Sequence, residues 1–161
     1  MVPLLNHPES AMTRLATLVA AAAIVLGLFR FVDAAQPDSL AQNKELVRNF
    51  YRAVEDLDKA AVIKLVREDY IQHMPNIPTG RGAILNYIDM VSPKGKGKMP
   101  TIVRMIAEGD LVAVHFRRDD PPASIAAVEI FRIQAGLIAE HWAVTEAIPS
   151  RDQQRNENGM L

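Results

Sequence analysis

Tyr70, His73, His115, Glu129 and His141 are the side chains of this sequence best suited to moving a proton. The 161-residue chain has no cysteine, which excludes a disulfide, a thiolate metal site and a cysteine nucleophile. Shifting a proton next to a carbonyl needs a base whose pKa lies near the working pH and a donor for the developing enolate oxygen. Imidazole meets the first need with little tuning. A carboxyl group surrounded by apolar side chains and kept protonated meets the second. A metal site is the other chemistry open to these residue types: His73, His115 and His141 offer three imidazoles, and Glu129 or Glu140 a carboxylate. No HxH or HxxxH spacing is present, and neither a metal nor another cofactor is expected.

The elements that must hold these side chains are helices first and strands second. Leu40, Val47, Phe50, Tyr51 and Val54 fall on one stripe of a helix for which Ser39 is the N-cap. Asp58 caps a second helix bearing Ala61, Ile63, Leu65 and Val66. Residues 68–73 form a short extended segment. Pro78, Gly80 and Gly82 then break the chain ahead of a third helix with Ile84, Leu85, Ile88 and Val91, ended by Ser92-Pro93. Lys94-Gly95-Lys96-Gly97-Lys98 lacks the spacing of a phosphate loop and reads as a solvated turn. From Thr101 the period changes to two. Residues 102–107, 111–118, 124–134 and 137–147 are four strands on short turns, an antiparallel meander at least over the last three. Helices followed by strands make an α+β domain, and residues 150–161 a loose polar tail.

Strand alternation sorts the candidates by face. Val112, Val114 and Phe116 oppose Ala113, His115 and Arg117. Glu129 shares a face with Ile125, Ala127, Phe131 and Ile133, where an unpaired carboxylate is costly. His141 lies with Leu137, Ala139, Ala143 and Thr145, a small and largely apolar set suited to a pocket floor. Ile138, Trp142 and Val144 lie on the opposite face beside Glu140 and Glu146. That apolar patch with a polar rim is the expected interface of a two-fold homodimer.

Residues 15–29 are uncharged, follow Arg14, and lead to small residues ending at Ala34. This pattern predicts a signal peptide over 1–34, too short for a membrane span of about 20 apolar residues. The mature domain is then secreted or periplasmic, with no membrane contact after cleavage. With 18 basic and 19 acidic residues the chain has no excess positive charge for phosphates, and no nucleic-acid partner is expected.

Tyr70-Ile71-Gln72-His73-Met74-Pro75, Gly80-Arg81 and Gly109 to His115 resemble the SnoaL-like polyketide cyclase family of the nuclear transport factor 2-like superfamily. So do Val128 to Ile133 and the strand Gly136-Leu137-Ile138-Ala139-Glu140-His141-Trp142. The resemblance spans residues 39–149 and implies a cone-shaped roll, a curved antiparallel sheet wrapped around three N-terminal helices. It often implies a homodimer as well. Two positions depart from the family pattern. Met74 replaces the Asn of Q-H-N-P, and Ala143 replaces the Asp of E-H-W-D, the acid/base carboxylate of SnoaL-type cyclases. Alignment with the related ketosteroid isomerase sets His73 at the base and Glu129 at the acidic donor.

His73 is therefore the expected base, Glu129 or His141 the donor, and Tyr70, Phe131, Thr145 and Trp142 the substrate contacts. Two classes of function stay open. One is a cofactor-independent isomerase, cyclase or hydratase acting on a small apolar carbonyl compound. The other is a catalytically silent module of the same fold that binds an apolar ligand or dimerises.

Overall fold

The computed structural model describes residues 37–96, 99–120 and 123–161; the expected signal peptide lies outside them. Among the described residues, α1 runs Pro37–Glu55, α2 Lys59–Leu65, β1 Val66–Gln72 and α3 Arg81–Val91. Four longer strands follow: β2 Thr101–Glu108, β3 Leu111–Asp120, β4 Ala123–Gln134 and β5 Leu137–Ala147. Helix α1 starts two residues ahead of Ser39, so that serine sits in its first turn rather than capping it. Asp58 caps α2 as expected, its Oδ1 accepting the Ala61 N–H at 2.9 Å. Ser150 and Gln153 form a capping box on a short 3₁₀ turn, so the C-terminal segment opens with local structure.

The strands form one curved, open sheet in the order β1-β5-β4-β3-β2. β2 to β5 are an antiparallel meander. β1 pairs with β5 in parallel, so the sheet is mixed rather than wholly antiparallel. The reason is connection length: β1 feeds into α3, and only a distant strand can return beside it in the same direction.

The β4–β5 hairpin sets the register of the site. Ala135 and Gly136 have φ values of 52° and 75°, the left-handed pair of a two-residue type I′ turn. Holding an alanine there costs about 1–2 kcal/mol. Beyond the turn Ile133 pairs with Ile138, but Arg132 pairs with Glu140, so Ala139 is an extra residue in β5. This bulge turns Ile138 inward, where it is fully buried, and corrects its expected place on the outer face.

The helices cover the inner face. Val47, Tyr51, Val62 and Ile88 pack with Val112, Val114, Phe116, Phe131, Ile133 and Ile138 in one core. Each such aliphatic or aromatic side chain contributes about 1.5–3 kcal/mol by leaving water. All the inward apolar residues of β3 and β4 read from alternation lie on this side.

Candidate functional site

Alternation along β1 decides what enters the core. Tyr70 is buried and Ile71 is 46 % exposed, so Gln72 follows Tyr70 inward and His73 follows Ile71 outward. The end of the strand is pinned on both sides. Thr79 Oγ1 accepts the Gln72 N–H at 3.2 Å and donates to the Tyr70 carbonyl at 3.0 Å. The His73 N–H donates to the His141 carbonyl at 2.9 Å, tying β1 to β5 beside the cluster.

Five polar side chains meet on the inner face. The Tyr51 hydroxyl of α1 donates to Glu129 Oε2 at 2.6 Å, a short bond typical of an ionised acceptor. His141 Nε2 stands 3.5 Å from the same oxygen. On the other edge of its ring, Nδ1 lies 3.2 Å from Gln72 Oε1. Gln72 Nε2 in turn donates to the Tyr70 hydroxyl at 3.2 Å. Phe131 stacks on the His141 ring with centroids 4.8 Å apart, and packs edge-on against Tyr51. The His141 side chain is buried, and its Nε2 has no hydrogen-bond partner among the described residues.

Burial, and then the charge of Glu129, push the Tyr51 and Tyr70 hydroxyls well above the ordinary tyrosine value. Both therefore stay protonated and serve as hydrogen-bond donors at any physiological pH. Tyr51 also forms part of the wall of a cavity of about 230 Å³, together with Val54, Tyr87, Val91 and Met99. A second depression, lined by Asn49, Arg52, Asp56 and Lys64 between α1 and α2, lies away from the cluster.

The seven expected site residues divide between the two faces. Glu129, His141, Tyr70 and Phe131 come together on the inner face. Thr145 follows on the same row of β5 but is exposed. His73 and Trp142 are on the outer face, apart from the cluster, because alternation carries both away from it. There His73 Nε2 pairs with Glu140 Oε2 at 3.1 Å, and its ring stacks on Trp142 at 4.4 Å. His115 is also outward, accepting from Arg104 Nη1 at 2.9 Å. The three imidazoles thus do not converge, and among the described residues no group of three or more His, Asp or Glu side chains is placed to hold a metal ion.

Sequence reasoning missed Tyr51 and Gln72. Tyr51 was visible only as an apolar position of the α1 stripe. Gln72 was legible in principle, since counting alternate residues from Tyr70 selects it over His73.

A mixed sheet of this order with three helices on its inner face is the architecture of the nuclear transport factor 2-like proteins. TsrD from Streptomyces laurentii has a similar structure, with a TM-score of 0.54 and 20% identity over 66% of this chain and 89% of its own. A nuclear transport factor 2-like protein of unknown function from Burkholderia xenovorans LB400 covers 74% of this chain and 97% of its own, with a TM-score of 0.57 and 16% identity. IdmH, a candidate polyketide cyclase from Streptomyces antibioticus, gives a TM-score of 0.51 and 18% identity over 65% of this chain and 92% of its own. Identities this low establish the shared fold. Residues 47–141 match the SnoaL-like domain, and the chain belongs to that family. None of the curated proteins matches it in sequence. Its fold is thus of the ligand-binding and cyclase type. Among the described residues no helix is long and apolar enough to cross a membrane.

Proposed function

We propose that the inner face binds a small apolar carbonyl compound and catalyses proton transfer on it without a cofactor, with Glu129 as the group that takes and returns the proton. The observation that carries this reading is the position of one carboxylate oxygen, Glu129 Oε2, within reach of both the Tyr51 hydroxyl and His141 Nε2, with Phe131 stacked on the His141 ring. Glu129 removes a proton from the carbon next to the carbonyl, and the electron pair of the C–H bond moves onto the carbonyl oxygen. Tyr70 is suited to meet that oxygen. Its own oxygen already accepts from Gln72, leaving its hydrogen free to be given. Glu129 then returns the proton to a different carbon, which completes an isomerisation; in an aldol cyclisation the enolate carbon instead bonds a second carbonyl carbon, and Glu129 gives the proton to the oxygen of that carbonyl. Ala143, paired with Glu129 across the strands, leaves the family's usual carboxylate position empty of function and passes the role to its neighbour.

The alternative, a silent ligand-binding module, draws on Ala143, which leaves the family's usual carboxylate position without an acid or base. Deuterium exchange into simple cyclic ketones, followed by NMR, separates the two readings. The enzyme reading expects exchange well above buffer, lost in Glu129→Gln. Exchange equal to buffer alongside tight binding of an apolar dye supports the silent module.

The domain is further proposed to be exported, on the strength of the uncharged 15–29 segment, and to dimerise. Dimerisation would use the outer face, where Ile106, Val128 and Val144 are exposed beside Ile130 and Trp142.

A further inference from the structure

We infer that Gln72 is a positioning residue: it fixes His141 in the tautomer whose Nε2 carries a lone pair facing Glu129. One group beside Gln72 has no choice of role. The backbone N–H of Met74 can only donate, and it lies 3.0 Å from Gln72 Oε1, so the oxygen end of the amide must point there. The same oxygen is 3.2 Å from His141 Nδ1 and can only accept. Nδ1 therefore carries the hydrogen, and in neutral imidazole Nε2 is left bare.

The bare nitrogen explains why a buried histidine atom stands 3.5 Å from a carboxylate without bonding to it. Two acceptors face one another while Glu129 is ionised. Once Glu129 has taken a proton from substrate, its O–H has an acceptor waiting, and His141 can share or hold that proton until it is returned. The arrangement favours the state after proton abstraction over the resting state, the condition under which an interaction accelerates a reaction. The opposite tautomer would donate to ionised Glu129 and weaken it as a base. The other end of the Gln72 amide donates to Tyr70, so a single side chain orients both partners of the transfer.

The mechanistic value of this tautomer rests on the proton-transfer reading, but the tautomer can be tested without it. Nitrogen-15 NMR of the full chain with labelled histidine, the His141 signals identified by their loss in His141→Gln, reports which ring nitrogen is protonated. Wild type is expected to show protonated Nδ1 and bare Nε2. Gln72→Met, whose thioether sulfur is only a weak acceptor for the Nδ1 hydrogen, should shift the population toward protonated Nε2. Gln72→Glu, which keeps an acceptor there, should retain protonated Nδ1. Ketone exchange in Gln72→Met should fall about 10–100-fold, the loss found when the partner that orients a metal-bound histidine is removed. Protonated Nε2 in neutral wild type, or an unaltered tautomer in Gln72→Met, would overturn the inference. Absence of exchange in wild type with protonated Nδ1 would instead count against the proton-transfer reading alone.

Discussion

Strand β5 carries two histidine–glutamate pairs on its two faces, built from neighbouring residues. Outside, Glu140 holds His73 at 3.1 Å; inside, His141 lies 3.5 Å from Glu129. By distance alone the outer pair is the better one. Its surroundings remove that advantage. Its side chains are 37 % and 23 % exposed, and Arg132 already bonds Glu140 at 3.0 Å while reaching Asp110 at 2.7 Å with its other end. The Trp142 ring contacts both the His73 ring, 4.4 Å away, and the Arg132 guanidinium, 5.7 Å away. Such solvated pairs are worth about 0–1 kcal/mol. The inner side chains are 9 % and 16 % exposed, where the weaker dielectric makes each charge felt more strongly. Chemistry follows environment more than proximity.

The largest expected effect separates the two glutamates. Glu129→Gln should lower ketone exchange about 10²–10⁴-fold, the usual worth of a positioned acid or base. Glu140→Gln should leave the rate within about twofold, as expected of a group that does not touch substrate. Equal losses in both would erase the distinction between the faces.

Alkaline stability sharpens it further. Tyr51 and Tyr70 are held above their ordinary value in the folded chain, while in the unfolded chain they ionise near pH 10. Above that pH the unfolded state binds fewer protons, so stability is fully present below about pH 10 and falls as pH rises. Each tyrosine contributes a loss of about 1.4 kcal/mol per pH unit. Urea unfolding at pH 9 and 11 should therefore differ by up to about 3 kcal/mol, and Tyr51→Phe or Tyr70→Phe should remove about half of the difference. A double variant with the wild-type slope would show that neither hydroxyl is held by the core.

The outer face should respond least to truncation. His73→Ala should change stability by less than about 1 kcal/mol and leave exchange unaltered. A loss of exchange in His73→Ala would return that residue to the mechanism. Sedimentation at micromolar concentration tests the proposed dimer, with Val144→Lys expected to yield monomer; a monomeric wild type would remove it.

Much of this was readable from pattern. Period-two spacing placed Glu129 with Phe131 and Ile133, and His141 on the opposite side from Trp142, because hydrogen-bonded strands must alternate. The Asp58 cap was equally plain. What escaped depended on longer-range facts. His73 suits a base by its type and its alignment, but it stands three residues after Tyr70, and alternation along β1 carries it to the face opposite that buried tyrosine. Tyr51 belongs to a helix 78 residues away from Glu129, and no local spacing reports that meeting. Ile138 was misplaced because nothing in Leu137-Ile138-Ala139 announces an extra residue; only pairing with β4 exposes it.

That extra residue, Ala139, sets the reading frame of β5 in space. Upstream of it the strand is phased by the hairpin turn, and downstream by the cross-strand partners of His141 and Ala143. Pairing that alanine as an ordinary ladder residue, with no bulge, would force a choice between the two phases, since a one-residue slip exchanges every side chain between the faces. Kept in phase with the turn, the strand would hold Ile138 in the core and send His141 to the surface while Glu140 entered among apolar side chains. Kept in phase with the cluster, it would save the histidine and strand Ile138 in water. A methyl-bearing residue with no chemistry of its own is thus the point on which this strand's inside and outside are decided.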